Sequence, residues 1–351
     1  MSSAETYNME ERIMSSQLRA LFASTRLPVM VAPMFLVSSP ELVVAASRAG
    51  VVGTFAAPNA RNLAALDEAL GGIADGVAQG AAAPWALNMI VHSSYDRFDA
   101  ELALVLRYQP KIVTTALGSP RRVLDHVHGY GGFVMADVAT PAMARKAVEA
   151  GVDGLILVCA GAGGHTGVYH PFAFVDEVRT FWSGPLGLAG AVSTGAHVLA
   201  AKQIGADFAV LGTRFIAAEE SLAQPAYREM LVGSGMEDLV ASKSVSGVLA
   251  NWLKPTIERA GLRVSQPSGE KKIDFSGDIS TAPKAWKDVW SAGHGVGAVQ
   301  AVEPLAVIVD RLAQEYVKGI GARNRDDASL VHQVDNWRGR VASPARNEGE
   351  V

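Results

Sequence analysis

The sequence predicts a closed α/β barrel, the (β/α)8 or TIM architecture, carrying a helical insertion near its C-terminal end. Eight short apolar runs of strand character recur at fairly even spacing between residues 29 and 215. Most are apolar throughout rather than alternating, as parallel strands buried on both faces require. Segments rich in Ala, Leu, Glu and Arg separate them, with start and stop signals of helices. Eight β–α units in about 220 residues point to a closed barrel. An open, doubly wound sheet is the alternative, and it lacks a clear dinucleotide fingerprint here.

Taken in order, residues 1–26 are polar and mixed in charge and read as an N-terminal extension. The expected strands are Val29–Met34, Val51–Phe55, Trp85–Val91, Lys111–Leu117, Phe133–Val138, Gly154–Ala160, Leu186–Val192 and Phe208–Phe215. Ser39-Pro40-Glu41 opens one helix with an N-cap serine and a proline at the first helical position; Thr140-Pro141 opens another. Gly50, Gly151 and Gly205 each stand where a helix closes before the next strand. The barrel is expected to comprise 27–218 plus 303–321. Residues 219–302, with helical segments at Gln224–Leu231 and Ser246–Ala260 and a polar loop at Ser265–Asp278, form an insertion over the barrel mouth. Glu303–Lys318 reads as the last barrel helix and 322–351 as a polar tail.

Composition narrows the function. Of 351 residues, 49% are hydrophobic and 19% charged, which suits a large core rather than disorder. A formal net charge of −4 offers no broad basic surface, so no nucleic-acid partner is expected. The single cysteine, Cys159, excludes an internal disulfide and a cysteine-based zinc cluster. No set of His, Cys, Asp and Glu has metal-ligand spacing. The apolar run Leu27–Val37 is too short to span a bilayer, and no secretory leader is evident. A cytoplasmic enzyme with no membrane partner is expected, with a homodimer among the open assembly states.

Active sites of such barrels lie at the carboxyl ends of the strands. The first strand ends in Ala32-Pro33-Met34, the third carries Asn88, and the fifth ends at Asp137. The sixth runs into Gly161-Ala162-Gly163-Gly164-His165-Thr166-Gly167, with four glycines in seven residues around one imidazole. Such a loop lets the backbone approach a phosphate or a flat cofactor closely, and His165 can move a proton near neutral pH. The seventh and eighth strands end in Gly190-Ala191 and Gly212-Thr213, the positions that commonly hold a phosphate in this fold. His170, His197, Glu219-Glu220, Cys159 and the run Gly293-His294-Gly295-Val296-Gly297 read as structural.

With these residues in place, Leu27 to about Gly321 resembles the nitronate monooxygenase family, FMN-dependent barrels related to flavin-type enoyl reductases and quinone reductases. The matching pieces are Ala32-Pro33-Met34, Ala162 to Gly167, and Gly205-Ala206-Asp207 through Gly212-Thr213-Arg214-Phe215 with Glu220-Ser221. The resemblance implies that Ala32, Pro33 and Met34 lie along an FMN ring, that Asn88 bonds its chain, and that Gly163 and Gly164 pass close to the ring. It implies that Gly190, Ala191, Gly212 and Thr213 hold the phosphate and that His165 is catalytic, with Asp137 among the cofactor-lining positions. The implied reaction is oxidation of alkyl nitronates or nitroalkanes by dioxygen to a carbonyl compound and nitrite. An NAD(P)H-dependent reductase of quinones or enoyl thioesters is the alternative, and a flavin- or phosphate-binding protein without turnover a third. Three departures stand out: Phe35-Leu36 where the family often has Gly-Gly, Gly190-Ala191-Val192 where Gly-Gly-Ile is usual, and a carboxylate, Asp137, where relatives often carry lysine or glutamine.

Overall fold

The computed structural model describes residues 3–261 and 287–322, with side chains from residue 14 onward. Eight parallel strands form one sheet: β1 (Val29–Val31), β2 (Gly53–Ala56), β3 (Trp85–Ile90), β4 (Ile112–Ala116), β5 (Phe133–Val138), β6 (Gly154–Val158), β8 (Leu186–Ala189) and β9 (Phe208–Leu211). The two-residue strand β7 (Gly164–His165) belongs to a separate sheet described below. β1 pairs with β9, and a parallel bridge between Met30 and Val52 joins β1 to the run into β2, so the sheet closes into a barrel. Seven of the eight strands fall within their expected runs, most of them shorter, and β2 overlaps its run but ends one residue beyond it, at Ala56. The last two stop early because the chain leaves extended geometry: Gly190 and Ala191 have φ of +126° and +56°, and a short helix, Thr213–Ile216, starts directly after Gly212.

Helix signals act as read. Ser39 Oγ accepts from the Leu42 N–H at 2.9 Å to cap the helix Pro40–Arg48. Thr140 Oγ1 caps Pro141–Ala150, which ends on Gly151 at φ +95°. The closing barrel helix runs over 305–322, and Glu315 on it accepts from the Gly195 N–H at 2.6 Å, capping the helix Gly195–Gln203.

The N-terminal extension carries a helix, Ser3–Ser24, whose last turns plug the barrel floor. Leu18 and Phe22 are buried in one cluster with Met30, Ile112, Phe133 and Phe208, at or near the first positions of their strands. The Phe22 and Phe208 rings stack with centroids 3.8 Å apart. A Cβ on Gly154 would lie 3.1 Å from Leu18, so the small residue at the start of β6 makes room for the helix. Arg19 pairs with Asp207 at 2.7 Å on the rim of the same end. With the floor closed, the strand ends at the opposite face are left to form the mouth.

The insertion departs from expectation. Ser246–Ala260 is not one helix: Ala250–Leu253 is a fully buried strand, β11, and the helix begins only at Lys254. Pro255 sits in the first turn, where a proline is tolerated; inside a longer helix it would cost a hydrogen bond and clash. β11 pairs antiparallel with β10 (Leu239–Ser242) on one side and with β7 on the other. Pro225–Val232 is helical, as expected. The insertion packs on the barrel mouth through Tyr227, Leu239, Leu253 and Trp290, which cluster with Val37 and Ile216. The expected loop Ser265–Asp278 and the tail beyond 322 lie outside the described residues. No described helix is long and apolar enough to cross a membrane.

Candidate active site

The mouth is built from strand ends on three sides. On the first, Ala32 is held to β9 by its N–H, which donates to the Leu211 carbonyl at 2.8 Å. The chain then turns at Met34-Phe35-Leu36, where Leu36 adopts a left-handed φ of +59°. Asn59 holds that turn: its Oδ1 accepts from the Leu36 N–H at 2.8 Å and its Nδ2 donates to the Met34 carbonyl at 3.0 Å. Few side chains other than glycine take this conformation without cost. The departure Phe35-Leu36 therefore replaces a residue suited to the turn by one that the Asn59 bonds must hold there.

The wall beside it carries almost no side-chain bulk. A Cβ on Gly212 would meet only Ala32 Cβ at 3.4 Å and Met34 Sδ at 3.7 Å, ordinary contact distances. Gly190 lies against the carbonyls of Cys159 and Ala160, each 3.1 Å from a Cβ placed on it. Ala191 repeats the strain seen at Leu36, and its N–H donates to the Gly161 carbonyl at 3.2 Å. Thr213 is buried, and its Oγ1 accepts from the Gly293 N–H at 2.8 Å, keeping its own proton to donate.

On the third side the glycine loop folds over the end of β6. Strand β7 within it is pinned by β11, with Gly164 opposite Asn251 and His165 opposite Ala250. Asn251 is buried and its Nδ2 donates to the Ala162 carbonyl at 2.8 Å. The Thr166 N–H donates to the Leu249 carbonyl at 3.1 Å. The insertion therefore fixes the loop that carries His165. The His165 ring keeps access to solvent, yet the crowding around it lowers its pKa below the usual imidazole value by desolvation. It stands as a neutral imidazole at neutral pH.

Deeper in the mouth, Asn88 donates from Nδ2 to Thr114 Oγ1 at 2.8 Å and to Asp137 Oδ2 at 3.4 Å. Burial pushes the Asp137 carboxyl up to about 7. The residues singled out in the sequence thus gather at one end of the barrel: Ala32, Pro33 and Met34, Asn88, Asp137, Gly163 to His165, Gly190-Ala191 and Gly212-Thr213.

Three participants escaped the sequence reading. Thr114 and Asn251 look like ordinary strand residues. The run Gly293–Gly297, read as structural, tucks into the loop: the His294 N–H donates to the Gly161 carbonyl at 2.9 Å, and a Cβ on Gly163 would lie 2.7 Å from the Gly293 nitrogen. Its density of glycines was the available signal. The other residues weighed have structural work. His170 caps the helix Pro171–Arg179, accepting from the Phe172 N–H. His197 accepts from the Ser193 N–H, and Glu220 accepts from the Leu305 N–H. Cys159 is buried, and burial pushes its thiol up to about 12, far from a nucleophile's range.

Glycine-lined strand ends around an imidazole at the mouth of a barrel suit a flat organic ligand. Residues 16–260 match the family model for nitronate monooxygenase. The chain belongs to the nitronate monooxygenase family and is accordingly a flavin-dependent oxidoreductase. It is 28% identical over 246 residues to a nitronate monooxygenase of Paraburkholderia phytofirmans, spanning 66% of this chain and 67% of that one. A nitronate monooxygenase of Neurospora crassa is 26% identical over 367 residues, spanning 88% and 94%. Among solved structures, nitroalkane oxidase from Streptomyces ansochromogenes superposes with a TM-score of 0.72 at 23% identity, covering 86% of this chain and 99% of that one. FabK from Thermotoga maritima gives 0.71 at 22%, covering 86% and 96%. These two similarities establish the barrel fold.

Proposed function

We propose that this chain binds FMN in the mouth and oxidises small alkyl nitronates, or nitroalkanes after loss of the α-proton, with dioxygen to a carbonyl compound and nitrite. The observation that supports the proposal is the pairing of β7 with β11, which fixes the backbone of His165 at the end of the barrel where Ala32, Gly190 and Gly212 also lie. Small residues make up the wall there: a Cβ at Gly212 would stand in ordinary contact with Ala32 at 3.4 Å and Met34 at 3.7 Å. Gly190, Ala191, Gly212 and Thr213 would hold the phosphate, Ala32, Pro33 and Met34 would flank the ring with Gly163 and Gly164 opposite, and Asn88 and Asp137 would offer polar atoms. Two small-residue loops suit one terminal phosphate, hence FMN rather than FAD.

When bound, the flavin takes electrons from the substrate and passes them to dioxygen. The chain supplies the rest. A ring nitrogen of His165, unprotonated at neutral pH, takes the α-proton of a nitroalkane and holds it. The insertion holds the loop in place through the β7–β11 pairing, so the imidazole is positioned before substrate arrives. Denaturing the purified protein and separating the released chromophore tests the cofactor: FMN is expected, together with nitrite release from propyl 2-nitronate in air. FAD, or no flavin after reconstitution, overturns the proposal. Flavin bleaching by NADPH without nitrite release would assign the chain to the reductases instead.

A further inference from the structure

Thr114, Asn88 and Asp137 form a hydrogen-bonded chain across three adjacent strands, and only its Asp137 end reaches solvent. Thr114 and Asn88 are buried, whereas Asp137 is half-buried at the end of β5. Asn88 uses Nδ2 toward both neighbours, so it donates to Asp137 Oδ2 whether that carboxyl is ionised or neutral. No described residue donates to Asp137 Oδ1, and no described Lys, Arg or His pairs with this carboxyl. The paired segments of β4 and β6, which flank β5, carry no ionisable side chain. Farther round the mouth stand Cys159, whose thiol is neutral, His165, whose imidazole is neutral, and His294. Burial alone therefore sets the proton affinity of Asp137, which changes charge near neutrality.

A protonated carboxyl has one O–H to give. Asn88 cannot accept it through the nitrogen it turns to Asp137, so the proton on Oδ1 is left for whatever occupies the mouth. The substrate and product of the proposed reaction, a nitronate and nitrite, are both anions. Resting on that reading, we propose that Asp137 is a proton-gated binding residue: its acid form donates a hydrogen bond from Oδ1 to the anionic oxygen of the ligand, and its ionised form repels that ligand. No net proton transfer to substrate is required.

The sign follows. Anion affinity is greatest with Asp137 protonated, and above its pKa it falls up to tenfold per pH unit. Asp137→Asn keeps a donor at the site and removes the titration. The experiment is calorimetric titration of nitrite into purified wild type and Asp137→Asn between pH 6 and 9. Expected is a wild-type affinity that falls by an order of magnitude or more across this range, and a nearly flat profile for Asp137→Asn. Parallel profiles in the two proteins, or no nitrite binding to wild type at pH 6, would overturn the proposal. A second readout does not depend on any ligand. A carboxyl whose folded pKa is raised from 3.8 to about 7 weakens the fold progressively as pH rises through that window. Asp137→Asn should then melt higher than wild type at pH 8.5, with the gap closing by pH 4. Equal melting at both pH values would contradict the isolated carboxyl on which the proposal stands. Nitronate turnover is assayed separately: its absence beside gated nitrite binding would sink the proposed reaction and leave the gate intact.

Discussion

The role proposed for His165 rests on two local facts, a strand partner that fixes its backbone and crowding that keeps its imidazole neutral. A neutral base accelerates only a step that moves a proton. General-base catalysis is worth about 10²–10⁴-fold, so His165→Asn should cut kcat/KM on nitroalkanes by that order and retain bound flavin. Preformed nitronates have already lost the proton and should suffer much less. Equal losses on both forms would assign His165 to anion binding instead, and no loss on either would leave it a loop residue. Ala191 offers a second test at this scale. It holds φ +56° where the family often has glycine, and a β-branched side chain is far less at ease there than alanine. Ala191→Val should lower the melting temperature clearly and loosen flavin, whereas Ala191→Gly should leave both close to wild type because relieved strain offsets the extra freedom of the unfolded chain. A stable, flavin-replete Ala191→Val would show that the loop has another conformation available.

Among the elements, the hairpin β10–β11 decides where the glycine loop lies. Asn251 bonds the Ala162 carbonyl from a buried position, and leaving that carbonyl unpaired costs about 1–3 kcal/mol. Asn251→Leu should therefore reduce kcat on nitroalkanes more than it reduces flavin affinity, since the proposed phosphate wall lies at the ends of β8 and β9 instead. Steady-state kinetics beside a flavin titration checks this; loss of flavin with unchanged kcat would contradict it. These elements also show what a sequence reveals and what it hides. Ser39-Pro40 and Thr140-Pro141 announced their helices because a cap and a proline are local signals. The barrel strands announced themselves through unbroken apolar runs. Strand β11 gave no such notice: its partner β7 is only two residues long and lies more than eighty residues earlier in the chain, so no local pattern couples Asn251 to Gly164. For the same reason Gly293 reads as an isolated turn until the fold seats it against Gly163.

Across the whole molecule the two ends of the barrel divide the labour. The helix Ser3–Ser24 closes the floor with Leu18 and Phe22, and the strained turns at Leu36 and Ala191 collect at the mouth. The glycines, His165 and Asp137 were legible as candidates because the fold places its chemistry at strand ends, and the structure brings them to one end of the barrel. The state of each was not legible: burial, which sets the proton affinity of Asp137 and His165, exists only after β3, β4, β5 and the hairpin come together. The central claim is that electrons enter this mouth from a nitronate. Its most direct test is anaerobic mixing of the purified holoprotein with propyl 2-nitronate and, separately, with NADPH, following the visible spectrum and then admitting air. The account predicts rapid flavin reduction by the nitronate, slow or no reduction by NADPH, and nitrite once oxygen enters. Rapid bleaching by NADPH with no spectral change on adding nitronate would contradict it.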